Sequence, residues 1–245
     1  MAASISLFYV MKEQMPQLWP GGPVYRAAGF PISTDSVLLS AFARLQGAPR
    51  CADLGCGAGL LLVLLGSRCP AARLTGVELN ADAAEVARQN LAANGHSAHI
   101  LTGDLRQHRA LLPAGGFDLV IANPPYYPVA SGAAAADSAR AAARSERTCT
   151  LQQLCAAAAW LCRTGGAFCL VHKPERLSEL CVCMTQAGLE PKRLRFVCSR
   201  AGAAPSLILM EGRRGAKPGL TVQPPLVLAR DDGKETDELR SIYHR

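Results

Sequence analysis

The sequence predicts an α/β fold: a mainly parallel, seven-stranded sheet with helices on both faces and an antiparallel hairpin at its C-terminal end. Three observations predict it. From residue 50 onward, short apolar runs alternate with longer helix-compatible segments, the pattern of parallel strands joined by crossover helices. Gly-rich turns separate a run from the segment that follows it, as strand-to-helix turns require. The last two apolar runs are joined only by Ser199 to Ala204, too few residues for a crossover helix, so they should form an antiparallel hairpin at the sheet edge.

Strands are expected near 50–54, 73–78, 97–101, 117–122, 166–172, 191–198 and 205–211, and helices over 35–45, 59–67, 81–94, 150–163 and 175–187. The stretch 128–147, PVASGAAAADSARAAARSER, is Ala-rich and lacks a patterned apolar face, so it is expected to be a mobile loop. Beyond 211 the chain reads EGRRGAKPGLTVQPPLVL, where Pro and Gly are expected to forbid a long regular element. The closing TDELRSIYHR is helix-compatible. The organisation that follows is an N-terminal cap segment over 1–34, one domain over 35–211, and a C-terminal extension over 212–245 packed on that domain.

Composition narrows the class. Of 245 residues 49% are hydrophobic and 18% charged, which describes a globular chain able to bury roughly three quarters of its unfolded surface. Its net charge of +7 is spread, with 13 Lys/Arg against 10 Asp/Glu over 1–171 and 13 against 9 over 172–245. A phosphate-bearing partner is permitted by that balance, without a basic arm to demand it. The ten cysteines include no CxxC pair and sit among apolar neighbours such as those of Cys155, Cys162, Cys169 and Cys198. Reduced, buried thiols are therefore expected, and no metal. Lys12 and Glu13 interrupt the first 18 residues, so no secretory signal is expected there, and no run approaches the roughly 20 apolar residues of a membrane span. A cytoplasmic protein with no membrane partner is expected. Its oligomeric state is not written in these features.

The chemistry begins at Cys51 to Gly59, CADLGCGAG, between an apolar run and the helix-like LLLVLLG. Glycines at 55, 57 and 59 let the backbone turn tightly and approach a ligand. Leu60 stands where a dinucleotide fingerprint needs its third glycine, and Asp53 precedes the first glycine by two. This DxGxGxG arrangement resembles the first motif of class I S-adenosylmethionine methyltransferases. Glu78 ends the next run about twenty residues on, where a carboxylate can accept both hydroxyl hydrogens of a ribose. Thr102-Gly103-Asp104-Leu105 follows a third run. In that family the Asp at this point accepts from the cofactor's adenine amino group.

The run FDLVIA ends in Asn123-Pro124-Pro125-Tyr126, followed by Tyr127. Two prolines fix φ and cannot donate, so they stop a strand and leave outward-pointing acceptors. An amide or exocyclic amine is a poor nucleophile because its lone pair is delocalised. The Asn123 side-chain oxygen and the Pro124 carbonyl can hold its two hydrogens and aim its electron density at a methyl group. Tyr126 offers a face for stacking a planar substrate. This NPPY resembles the signature of methyltransferases acting on adenine N6, guanine N2 and protein glutamine amide.

Further stretches are similar to the bacterial tRNA adenine-N6 methyltransferase family: FPISTDSVLL over 30–39, HKPERL over 172–177, EPKRLRFV over 190–197, and EGRRG over 211–215 with KPGL over 217–220. The resemblance covers nearly the whole chain and implies a Rossmann-like class I methyltransferase fold, S-adenosylmethionine as cofactor, and tRNA as partner. It implies a segment around Thr34 and Asp35 packed over the cofactor site, with Asp53, Gly55, Gly57, Gly59, Glu78, Leu79, Asp104, Leu105 and Asn123 holding the cofactor. It leaves Tyr127, Arg140, Arg144 and Arg147 to meet the substrate, the arginines facing phosphates. Relatives tend to carry Ala-Arg-His-Glu where this chain has Ala143-Arg144-Ser145-Glu146. Guanine-N2 methylation of RNA, glutamine methylation of a protein, and binding without catalysis are the competing readings. The roughly 30 residues ahead of the family blocks are short for the helical substrate domain of release-factor methyltransferases.

Overall fold

The computed structural model describes residues 15–29, 32–124 and 149–244. Its strands are β1 (Arg50–Leu54), β2 (Arg73–Glu78), β3 (Ala98–Thr102), β4 (Phe117–Ala122), β5 (Cys162–His172), β6 (Leu189–Arg200), β7 (Pro205–Arg214) and β8 (Thr221–Ala229). They form one sheet in the order β3-β2-β1-β4-β5-β7-β6-β8. The first five in that order run parallel, β7 lies antiparallel to both β5 and β6, and β8 runs parallel to β6.

The helices are α1 (Thr34–Phe42), α2 (Leu60–Arg68), α3 (Ala81–Ala93), α4 (His108–Leu111), α5 (Leu151–Leu161), α6 (Leu177–Gln186) and α7 (Asp237–Ile242), with single 3-10 turns at Leu105–Gln107 and Pro174–Arg176. Four of them, α1, α3, α5 and α7, start at side chains that satisfy orphan amides. Ser33 accepts from Ser36 N, Asn80 from Ala83 N and Thr236 from Leu239 N. Thr150 and Gln153 exchange bonds in a capping box at α5, the arrangement that starts a helix most firmly.

Successive strand residues point to opposite faces, and β4 divides its side chains accordingly. Leu119 and Ile121 join a core with Leu38 and Leu39 of α1, Leu62 and Leu65 of α2 and Leu91 of α3. Val120 and Ala122 join a second core with Leu154 and Leu161 of α5 and Leu180 and Met184 of α6. Helix α2 is buried over all of Leu60–Gly66, which accounts for the uninterrupted apolar run LLLVLLG. All ten cysteines are free thiols, seven of them buried.

Two expectations need correction. The sheet has eight strands rather than seven, and the hairpin β6–β7 is not its edge, because β8 covers β6. The prolines and glycines beyond 211 do not forbid a regular element. Pro224 and Pro225 fall where the pairing shifts register, between Arg195↔Gln223 and Val197↔Leu226. A proline that cannot donate is tolerated at such a bulge on an edge strand, and the Pro224 carbonyl still accepts from Arg195 Nε at 3.0 Å.

The N-terminal segment is fastened by two asparagines four residues apart, Asn90 in the last turn of α3 and Asn94 at its C-cap. Asn94 accepts from Val24 N at 2.9 Å and donates to Val24 O at 2.7 Å, and Asn90 accepts from Arg26 N at 2.8 Å and donates to Arg26 O at 3.0 Å. Asn90 is fully buried and also donates to Ala58 O in the glycine turn at 2.8 Å. Residues 24–26 are thereby tied to the turn that follows β1.

Candidate active site

Parallel strands bring their C-terminal ends to one edge of the sheet, and the strand order reverses between β1 and β4. A crevice at that switch point is the usual ligand position of such sheets. Asp53 stands next to the end of β1, opposite Gly76 of β2 and Ile121 of β4. Asn123 follows the last residue of β4.

Beyond β1, Gly55 N and Cys56 N both donate to Val77 O, at 2.8 and 3.1 Å. Gly55 has φ 77°, and a Cβ there would meet no neighbouring atom within 4 Å. Its backbone conformation, not crowding, selects glycine. Gly59 has φ 82°, and a Cβ there would lie 3.1 Å from the Ala87 side chain of α3. Both the conformation and the approach of the helix require glycine at that position. Gly57 N donates to Glu78 Oε2 at 2.8 Å and Asn80 N to Glu78 Oε1 at 2.9 Å. One carboxylate thus joins the turns after β1 and β2, using one lone pair of each oxygen.

Asp53 is buried, and neither carboxylate oxygen has a hydrogen-bond partner among the described residues. Burial, and then the charge of Glu78, holds its carboxyl well above the usual carboxylate range. Tyr25 is also buried, and its phenol is pushed up by burial and then by Asp53. Asp104 caps the 3-10 turn by accepting from Arg106 N at 2.9 Å, and its oxygens also accept from the Arg106 guanidinium. Those bonds hold its carboxyl below the usual range.

A cavity of about 510 Å³ opens between these turns and the end of β4, a size suited to a small ligand. Of the residues expected to hold a cofactor, Asp35, Gly55, Gly57, Glu78, Leu79, Asp104, Leu105 and Asn123 line it, as does Pro124. Asp53 lies buried beneath, Gly59 caps α2, and Thr34 begins α1; these three are not in the cavity wall. Pro125, Tyr126, Tyr127, Arg140, Arg144, Ser145 and Arg147, with the segment 128–147, lie outside the described residues.

The wall also contains residues to which the sequence assigned no role, among them Ser33, Cys149, Thr150, Leu154, His172 and Arg176. His172 is buried at the end of β5, and its Nδ1 accepts from Lys173 N at 2.8 Å. The ring's titration is pushed down to about 4, by burial first and then by the Arg176 guanidinium. It is a neutral imidazole whose proton sits on Nε2. HKPERL was visible as a block, but no local rule says that a buried histidine ends its strand facing a cavity.

The donor set suits a cationic cofactor. Three carboxylates, Asp35, Glu78 and Asp104, line the cavity and a fourth, Asp53, lies beneath it with neither oxygen partnered among the described residues. This occurs in a chain whose net charge is +7. S-adenosylmethionine carries a sulfonium and an ammonium, and both favour such an acidic cradle.

A sheet of this order, with a glycine turn at its switch point and carboxylates at the next two strand ends, defines a class I S-adenosylmethionine-dependent methyltransferase. The methyltransferase small domain family matches residues 24–180. The chain belongs to that family.

Among curated proteins, it is 35% identical over 190 residues to a tRNA1(Val) (adenine(37)-N6)-methyltransferase of Porphyromonas gingivalis, covering 74% of each chain. A Tolumonas auensis protein of the same description is 31% identical over 212 residues, covering 86% of this chain and 87% of its own. Among solved structures, a predicted O-methyltransferase from Agrobacterium tumefaciens superposes with a TM-score of 0.69 at 22% identity, covering 86% of this chain and 96% of that one. The T. thermophilus 16S rRNA N2 G1207 methyltransferase, in complex with AdoMet and guanosine, gives 0.53 at 24% identity over 76% of this chain and 44% of that one. These structures share the fold.

Among the described residues no helix is long and apolar enough to cross a membrane. None of their His, Cys, Asp and Glu side chains form a group of three or more placed to hold a metal.

Proposed function

We propose that the protein methylates N6 of an adenine in a folded tRNA. The observation that carries this reading is the placement of Asn123 and Pro124 in the wall of the same cavity as the acidic turns. The curated relatives, which are tRNA adenine-N6 methyltransferases by description, supply the substrate class.

When bound, S-adenosylmethionine supplies an electrophilic methyl group on sulfur. Glu78 and Asp104 hold its nucleoside part, and the turn Asp53 to Gly59 faces its methionine part, with Asp53 compensating the ammonium charge. Leu79, Leu105 and Asp35 would hold the cofactor from the cavity wall, with Thr34 beside Asp35 at the start of α1. Asn123 Oδ1 and the Pro124 carbonyl accept the two hydrogens of the target amine. That turns the nitrogen lone pair toward the cofactor half of the cavity and withholds donors that would compete for it. Pro125 fixes the backbone that presents these acceptors, and Tyr126 stacks on the base. Tyr127, Arg140, Arg144 and Arg147 meet the flanking nucleotides, so acceptor binding should weaken as salt rises. Residues 1–34 act as a cap on the domain, and 212–245 extend it.

The test offers purified protein and labelled cofactor to unmodified tRNA and, separately, to a glutamine-containing release-factor peptide. N6-methyladenine in tRNA, with no label in the peptide, is the expected outcome. Label only in the peptide would overturn the substrate, and N2-methylguanine in tRNA would change the base.

A further inference from the structure

We infer that Ser33 and Ser36, at the start of α1, act as positioning residues: their hydroxyls clamp the Asn123 carboxamide so that its oxygen, not its nitrogen, addresses the target amine. This rests on the reading of Asn123 given above. Asn123 Nδ2 donates to Ser36 Oγ at 2.9 Å and to Ser33 Oγ at 3.3 Å, across 87 and 90 residues of sequence. Ser33 Oγ donates to Ser36 Oγ at 3.0 Å and accepts from Ser36 N at 3.2 Å. Ser36 is buried and does not line the cavity, whereas Ser33 and Asn123 do. Ser36 therefore touches the carboxamide from behind the wall.

Proton counting fixes the orientation. The three polar atoms make three contacts with one another, and each contact needs one proton. With nitrogen toward the serines, the carboxamide brings two protons and Ser33 brings the third, so every contact is filled and the Ser36 proton is to spare. With oxygen toward them, only the two hydroxyl protons remain for three contacts. One pair of oxygens would then face each other without a hydrogen between them. A carboxamide is nearly symmetric in shape, so packing alone does not choose between the two orientations. The reaction does choose, because a nitrogen aimed at the target amine would oppose donor to donor. The serines thus convert the start of α1, which carries Asp35 into the cofactor half of the cavity, into part of the catalytic geometry at the end of β4.

Ser36→Ala is the clean test, because the helix cap uses Ser33 Oγ and Ser36 N and survives the change. Two quantities are measured on full-length wild type, Ser36→Ala and Ser36→Thr. The first is hydrogen exchange of the Asn123 side-chain amide by nuclear magnetic resonance, its signal identified by its absence in Asn123→Ala. The second is single-turnover transfer to tRNA at saturating cofactor. Loss of the shorter of the two bonds that hold the carboxamide, together with the Ser33 to Ser36 hydroxyl bond, should speed the exchange and slow the transfer about three- to tenfold each. Cofactor affinity and KM for tRNA should hold, melting temperature should fall by no more than a few degrees, and Ser36→Thr, which keeps the hydroxyl, should restore both quantities. A role confined to helix stability would move the melting temperature and leave the exchange alone. Equal exchange in wild type and Ser36→Ala would overturn the clamp. Absence of label in tRNA with wild type would instead defeat the functional reading, while the exchange still decides the clamp.

Discussion

The two halves of the cavity are built by different means. The half at the ends of β1, β2 and β3 is made from short consecutive stretches whose backbone amides and carboxylates bond to one another, such as Gly57 N to Glu78 and Gly103 N to Glu78 O. The half beyond β4 is made from side chains of remote segments: Ser33, Asn123, His172 and Arg176. The first is acidic; the second contains a neutral histidine and an arginine. A backbone-built site leaves local marks, because glycine conformations and strand ends are sequence features. A site assembled from distant side chains leaves few, because its geometry exists only after folding.

If the halves divide the work, single substitutions should separate methyl transfer from cofactor binding. Asn123→Ala should break the acceptor half most severely, lowering the transfer rate by about 10²–10³-fold, as loss of a preorganised polar contact does. Cofactor affinity measured by calorimetry on the same preparation should stay close to that of wild type. A parallel fall in both would erase the division. Glu78→Ala should do the reverse. It removes the carboxylate that joins two turns, and cofactor affinity should fall by roughly 1.5–3 kcal/mol. Turnover at saturating cofactor should survive. Unchanged affinity would remove Glu78 from the cofactor's site.

The same contrast explains what was legible in the sequence. Strands β1, β2 and β4 have the bounds expected for them, 50–54, 73–78 and 117–122, because each ends in a glycine, acidic or proline signal that periodicity alone would not supply. Asp53, Glu78 and Asp104 were legible as strand-end carboxylates for the same reason. Strand β8 was not, because Pro224 and Pro225 violate strand propensity. What rescues it is tertiary: an edge position, a register shift, and an arginine from β6 on a proline carbonyl. Ser33 and Ser36 stood in a recognised block as ordinary helix-start residues. Their contact with Asn123 spans about a third of the chain, and no spacing rule reaches that far. The unpartnered burial of Asp53 was equally hidden, since a motif names the residue and not its solvation.

The smallest effect should come from Asp53, and it tests whether the acidic half is tuned for a cation. Burial and Glu78 raise its folded pKa above the ordinary value of 3.8, so the folded protein holds this proton more tightly than the unfolded chain. Its contribution to stability is therefore full below about 3.8 and is lost as pH rises toward the raised value. A bound cation pulls the other way, because it favours the ionised carboxylate. Cofactor affinity should rise with pH across the same window, with release of up to one proton on binding. The ceiling for one group is about 1.4 kcal/mol per pH unit, in opposite directions for stability and affinity. Thermal unfolding of the cofactor-free protein and calorimetry of binding, from about pH 5 to about pH 8, measure the two slopes, and Asp53→Asn should flatten the part of each that belongs to this residue. Pairs of wild-type and Asp53→Asn curves that stay parallel would mean that the buried carboxyl is a structural acid with no part in holding the cofactor.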